Sequence, residues 1–320
     1  MVAERTGRGR LPPAVLLLGP TAAGKTAAAM ALHDRFPMRL ISVDSAQVYR
    51  GLEIGAAKPG PDVLARYPHD VLDLRWPEQS YSAADFVADA EAAMRRAAAA
   101  GRVPLLVGGT MLYVRALLYG LDPLPPADPD VRKRILERAE SAGWMSLHAE
   151  LVRRDPVAGA RIRPSDRQRL QRALEVLELT GRGVSSWQTA PRQPRFPTLR
   201  LVLTTPDRAV LHERIAARCD QMLRAGLVEE VQRLQARPGL TGDHPAMRAV
   251  GYRQVWAMLD GQYQATELRA RMLAATRQLA KRQLTALRRF STALWYDATS
   301  SKTVDRLDRQ VGDFCRRSAI

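Results

Sequence analysis

Six short, strand-like runs of the chain are predominantly apolar on both faces rather than at alternate positions: residues 14–18, 40–43, 71–74, 105–107, 199–203 and 293–296. Tracts with helical spacing separate them, among them 26–36 and the alanine-rich 83–100. A strand with no polar face must be covered on both sides, so this alternation predicts an α/β fold, a parallel sheet flanked by helices. Between the fourth and fifth runs the pattern breaks. Asp122-Pro123-Leu124-Pro125-Pro126-Ala127-Asp128-Pro129 opens a stretch without strands, and Pro191-Arg192-Gln193-Pro194-Arg195-Phe196-Pro197 closes it. Two proline-rich brackets predict an all-helical domain at 122–197, inserted into a core made of 1–121 and 198–320. Within the insert, Ser165-Asp166-Arg167-Gln168 has capping-box spacing for a helix that reaches about Thr180 and stops at Gly181. After the fifth run the spacing predicts helices at 207–225, 227–236, 245–259 and from 266 to about 290.

The first run leads into Gly19-Pro20-Thr21-Ala22-Ala23-Gly24-Lys25-Thr26 and then into a helix. G-x-x-x-x-G-K-T in strand–loop–helix context is a phosphate-cradling loop: its amides converge on an anion at a helix N-terminus. Lys25 would neutralise an outer phosphate, and the Thr26 hydroxyl would ligate Mg²⁺. Only five lysines (25, 58, 133, 281, 302) stand among 49 basic residues, so a lysine at this position points to a need for a compact point charge. The loop specifies a diphosphate or triphosphate; it does not specify a nucleotide. The second run ends in Asp44, placed beside the loop if the sheet is doubly wound. That carboxylate could be a metal ligand, a general base or a helix cap. The fourth run ends in Gly108-Gly109-Thr110 without the acid of an ATP-hydrolysing motor, which disfavours that class. Arg218, on a helix after the fifth run, could stabilise leaving-group charge or be a surface arginine.

Charge changes the picture further. The net charge is +16 and the pI near 10.7, which favours a polyanion such as nucleic acid as partner. The last long helix presents an apolar stripe (Leu273, Ala280, Leu284, Leu287) flanked by Arg277, Lys281 and Arg288, with Arg282 and Arg289 further round. That arc is either a solvated face or a phosphate-backbone contact. Cys219 and Cys315 lack ligand spacing, so no zinc site is expected. The basic start (Arg5, Arg8, Arg10) precedes too short an apolar run for a signal peptide, and no transmembrane stretch is present; a cytoplasmic protein is expected. Two classes remain: a small-molecule kinase with a mobile lid, and a group-transfer enzyme acting on nucleic acid.

The motif series resembles one family. Besides the phosphate loop it comprises Asp44-Ser45-Ala46-Gln47-Val48-Tyr49-Arg50, Gly55-Ala56-Ala57-Lys58-Pro59, Ser80-Tyr81-Ser82-Ala83-Ala84-Asp85-Phe86 and Gly108-Gly109-Thr110-Met111-Leu112-Tyr113. Gln168-Arg169-Leu170-Gln171-Arg172-Ala173-Leu174-Glu175, Val250-Gly251-Tyr252-Arg253-Gln254 and Lys281-Arg282-Gln283-Leu284 complete it. In this order, over about 14–296, the blocks are similar to those of the bacterial tRNA dimethylallyltransferases, the IPP transferase family. Ala23 and Ala56 stand where that family commonly has serine and threonine. The resemblance implies a P-loop NTPase-like core whose loop, Gly19 to Thr26, holds dimethylallyl diphosphate rather than ATP. It implies transfer of the prenyl group to the exocyclic N6 of the adenosine 3′ of the anticodon, with Mg²⁺ on Thr26. Asp44, Thr110, Arg218 and Lys25 are the implied catalytic residues. The implied tRNA contacts are Asp44, Ser45, Ala46, Gln47, Thr110 and Arg132, then Gln168, Arg169, Leu170, Gln171 and Arg172. They continue with Arg248, Ala249, Val250, Gly251, Tyr252 and Arg253, and with Lys281, Arg282, Gln283, Leu284, Thr285, Ala286, Leu287 and Arg288. A monomer without an obligate protein partner is expected. Prenylation of free adenylate is an alternative that the insert and the basic helix disfavour.

Overall fold

The computed structural model of the chain describes residues 10–187, 193–290 and 292–318; Arg5 and Arg8 of the basic start, and Pro191 and Arg192 of the second bracket, lie outside them. Strands β1 (Ala14–Leu18), β2 (Met38–Val43), β3 (His69–Asp70), β4 (Val103–Gly108), β5 (Thr198–Thr204) and β6 (Leu294–Asp297) form one sheet in the order β3-β2-β4-β1-β5-β6. Every pairing is parallel, with Leu16 opposite Leu106 on one side and Arg200 on the other. Helices α1 (Lys25–Arg35), α2 (Pro61–Arg66), α3 (Ala83–Ala99) and α4 (Met111–Tyr119) connect or follow the first four strands. Helices α5 (Pro129–Arg154), α6 (Pro156–Arg161) and α7 (Arg167–Thr180) form the insert. Helices α8 (Arg208–Arg224), α9 (Leu227–Gln235), α10 (Tyr252–Leu259), α11 (Ala265–Leu287) and α12 (Thr303–Arg317) complete the chain.

The double-sided burial read from the runs has a direct structural counterpart. Leu16 and Leu18 of β1 pack into a core with residues of α3, α4 and α8–α11, while Val15 and Leu17 enter a second core with α1 and α12. Burying a leucine side chain contributes roughly 1.5–3 kcal/mol, so the central strand anchors the fold from both faces. The order also sets the tips of β1, β4 and β2 next to one another at the carboxyl edge, the place where such sheets bind ligands.

The chain divides into two compact units, one made of the residues up to Tyr119 and from Pro194 on, the other of Gly120–Gln193. The second has its own core, Val131, Ile135 and Leu151 of α5 against Leu170 and Leu174 of α7. Gly143 (φ 79°, ψ 151°) interrupts α5 with a kink. No helix among the described residues is long and apolar enough to cross a membrane.

Three local expectations need correction. Residues 71–74 form a turn after the two-residue β3: Val71 and Asp73 have φ of 64° and 53°, and the amides of Asp73 and Leu74 donate to Gln47 O and Val48 O. The tract 245–259 is a 3₁₀ turn (Pro245–Arg248) and a separate helix α10, divided at Gly251, whose φ of 96° interrupts helical geometry. Asp166 rather than Ser165 caps α7, its carboxylate accepting from Arg169 N at 3.3 Å.

Candidate active site

A cavity of about 850 Å³ opens at the carboxyl edge. The β1–α1 loop forms one wall. Ala22 and Gly24 are both left-handed there (φ 62° and 85°), and no side chain caps α1, so the turn aims backbone amides at the cavity. A Cβ on Gly19 would lie 2.2 Å from Leu203 O, which explains the first glycine. Lys25 Nζ donates to Gly19 O (3.1 Å) and Pro20 O (2.7 Å), holding the ammonium over the loop. Burial, and then the nearby Arg218 guanidinium, lower its pKa to about 8, against an opposing pull from Asp44. Burial likewise pushes Arg218 below the ordinary guanidinium value, with Asp44 acting the other way. Two desolvated cations face one carboxylate, an arrangement suited to a polyanion.

The facing wall comes from the tips of β2 and β4. Asp44 Oδ1 accepts from Ala46 N (2.8 Å) and Gln47 N (3.4 Å), an Asx turn that fixes the carboxylate. Its Oδ2 takes no hydrogen bond among the described residues. Thr110 Oγ1 accepts from Ser45 N at 3.1 Å, joining the β4 tip to the β2 tip. A Cβ on Gly108 would lie 2.1 Å from Val43 O, so the strand ends approach as closely as backbone allows. Ile215, Cys219 and Met222 of α8, with Met272 and Leu279 of α11, supply an apolar wall.

Most of the site residues expected from the sequence converge here. Thr21 to Thr26, Asp44 to Gln47, Thr110, Arg218, Arg248 to Gly251, Arg282, Gln283 and Ala286 all line the cavity. Lys281, Thr285, Arg288 and Arg253 are exposed on α11, at its end and on α10. Three expected tRNA contacts are not available as such. Leu170, Tyr252 and Leu287 are each 0 % exposed, because they occupy the core-facing side of their helices. In the insert, Gln168 and Arg169 are exposed, whereas Arg132 and Arg172 are paired with the buried Glu175 at 2.9 and 2.7 Å. Burial pushes the Glu175 carboxyl up, but hydrogen bonds from Arg172, Asp128 N and Arg132 hold it below the usual range.

Glu230, not singled out in the sequence, joins Tyr252 in shaping the cavity from behind. Glu230 accepts from Ile54 N (2.8 Å) and from Tyr252 Oη (2.6 Å), and Tyr252 Oη accepts from Ala56 N (3.0 Å). Burial, then Glu230, raise the Tyr252 phenol far above its ordinary value, so it remains a donor. Gln47 Nε2 in turn donates to Ala56 O and Ala57 O, so this buried pair braces the loop that lines the cavity. One sequence signal existed. Glu230 interrupts the stripe of Leu227, Val231 and Leu234, and an acid on a core-facing stripe requires partners.

Comparison with known proteins agrees with this geometry. The model of the family described as "IPP transferase" matches residues 47–290, and that of "Isopentenyl transferase" matches 13–75. A tRNA dimethylallyltransferase of Thiobacillus denitrificans is 55 % identical over 297 residues, covering 92 % of this chain and 95 % of its own. One of Dechloromonas aromatica is 53 % identical over 300 residues, with 93 % and 96 % covered. The crystal structure of the full-length tRNA isopentenylpyrophosphate transferase of Bacillus halodurans superposes with a TM-score of 0.72 at 33 % identity, covering 97 % of this chain and 98 % of that one. With the model match spanning most of the chain and the relatives aligned nearly end to end, the chain belongs to the IPP transferase family.

Proposed function

We propose that the protein transfers the dimethylallyl group of dimethylallyl diphosphate to the exocyclic N6 of the adenosine 3′-adjacent to the anticodon in tRNA, releasing pyrophosphate. The observation that carries this reading is a cavity in which a phosphate loop faces a carboxylate fixed at the neighbouring strand tips. The loop amides and Lys25 bind the diphosphate, with Arg218 adding positive charge. The N6 lone pair attacks the allylic C1, the C1–O bond breaks, and the electron pair leaves with pyrophosphate. Asp44 Oδ2 takes the N6 proton, while Thr110 orients the amine. An aryl amine is a poor nucleophile, and a positioned base is worth roughly 10²–10⁴ in rate. The adenosine leaves its stack to reach the cavity, costing about a few kcal/mol.

Among the described residues no group of three or more His, Cys, Asp or Glu could form a metal cage. The exposed Thr26 hydroxyl, donor phosphate oxygens and water make a donor set that suits Mg²⁺, which binds through few protein ligands. When bound there, the ion would neutralise phosphate charge. The exposed Arg248, Arg253, Lys281, Arg282 and Arg288 supply the phosphate-backbone contacts of the core, and Gln168 and Arg169 are the exposed candidates on the insert by itself. The reading describes a cytoplasmic monomer. Labelled dimethylallyl diphosphate, offered with unmodified tRNA and with AMP side by side, tests it. Label at the tRNA adenosine is expected; equal or faster labelling of AMP, or phosphoryl transfer from ATP, overturns it.

A further inference from the structure

Residue Gln283 is separated from the phosphate loop by more than two hundred residues, yet its carboxamide lies between the two walls of the cavity. Its Oε1 accepts from Thr21 N at 2.9 Å, and its Nε2 donates to Gly109 O at 3.1 Å. Thr21 belongs to the donor loop, and Gly109 immediately precedes Thr110 at the tip of β4. The ladder between β1 and β4 ends at Leu18 opposite Gly108, so backbone pairing does not continue into these loops. The β4 tip is held to β2 by Gly109 N and Thr110 N, both donating to Val43 O. Among the described residues, Gln283 is the one side chain hydrogen-bonded to both the loop and the β4 tip. Space has been cleared for it: a Cβ on Gly109 would lie 2.3 Å from Gln283 Nε2 and 3.0 Å from Gly19 O. Leu273, Ala280 and Leu287 bury α11 on either side of this position, so the carboxamide is presented from a fixed helix.

We infer that Gln283 is a positioning residue that sets the gap between the diphosphate loop and the acceptor strand tip. The inference rests on the transfer reading, since that reaction has its donor on one side of this gap and its acceptor on the other. Both polar ends of the carboxamide are engaged inside the protein, so its part differs from that of the exposed cations around it on α11. Reacting atoms must meet at roughly 3–3.5 Å, and a displacement of about 1 Å can lower the rate 10²-fold. Loosening the link therefore acts on turnover, with substrate binding largely retained.

The test compares Gln283→Met, of similar length but without the hydrogen bonds, with Gln283→Ala, Gly109→Ala and the Gly109→Ala/Gln283→Ala double variant. Both Gln283 variants should lose about 10–100-fold in kcat, with the KM for tRNA and the salt dependence of tRNA binding unchanged. Gly109→Ala should fall in the same range in the wild-type background. Once the Gln283 side chain is gone, the same change should add no more than about threefold, because the 2.3 Å clash with the carboxamide is removed and only the tight 3.0 Å approach to Gly19 O remains. Thermal unfolding of Gln283→Met near the wild-type midpoint would separate positioning from loss of folded protein. Unchanged kcat, a raised KM for tRNA at full kcat, or additive losses in the double variant overturn the inference. Wild-type protein that transfers nothing to tRNA fails the underlying reading; active wild-type protein with unaffected variants fails only this one.

Discussion

The pKa of Lys25 makes diphosphate binding a proton-linked event, with a size that follows from the structure. Burial and Arg218 lower the ammonium to about 8. Free protein is then about half protonated at this site at pH 8, and about one-tenth protonated at pH 9. A bound diphosphate replaces lost hydration with negative charge and raises the pKa again. Binding should therefore take up about 0.1 proton at pH 7, 0.5 at pH 8 and 0.9 at pH 9. Affinity should be highest below pH 8 and fall by up to about tenfold per unit above it, because the ligand prefers the protonated form. Folding stability responds to pH in the opposite direction. A lysine whose folded pKa lies below its unfolded one opposes folding fully below pH 8, and that opposition is relieved as pH rises toward 10.5. Titration calorimetry with dimethylallyl diphosphate, in pairs of buffers with different ionisation enthalpies, reads the proton count directly. Lys25→Met should abolish the uptake along with most of the affinity. An uptake that stays below about 0.1 proton from pH 7 to pH 9 would refute the placement of this ammonium between Arg218 and the loop.

Three further outcomes are expected. Asp44→Asn keeps an acceptor for Ala46 N but cannot take a proton, so single-turnover rates should drop by roughly 10²–10⁴ while dimethylallyl diphosphate binding stays within about threefold. Tyr252→Phe removes a buried hydroxyl shared by Glu230 and Ala56 N, and urea unfolding should show a loss of about 1–3 kcal/mol, accompanied by reduced activity through the 54–57 loop. Arg288→Ala, at the exposed end of α11, should weaken tRNA binding and reduce the slope of log Kd against log salt by about one.

Local chemistry made much of the site legible in the sequence. A phosphate loop is a contiguous segment, and its glycines, Lys25 and Thr26 act through spacing that a sequence displays. Strands β1, β2, β4 and β5 were equally plain, because burial on both faces leaves only scattered polar positions, such as Ser42 and Arg200, in the run. Val71 to Leu74 misled for the opposite reason: apolar character shows that a segment is buried, whereas its turn depends on φ values at Val71 and Asp73 stabilised by carbonyls of the loop after β2. The tract 245–259 failed similarly, since Gly251 is tolerated in a helical pattern until its φ of 96° is known.

By itself, then, the sequence determined the α/β class, the phosphate loop, the carboxylate after β2 and the basic character of the surface. Which way each helical residue points was left to the tertiary structure. It turned Leu170, Tyr252 and Leu287 inward while leaving Lys281 and Arg288 outside, although all five stand alike among the tRNA contacts that the resemblance implies. It also brought Gln283 between Thr21 and Gly109, and Glu230 against Ile54 and Tyr252. The physical reason is range. Spacing along a chain fixes contacts a few residues apart, whereas a hydrogen bond between residues hundreds apart exists only after the sheet order and the packing of α9, α10 and α11 have set those groups side by side.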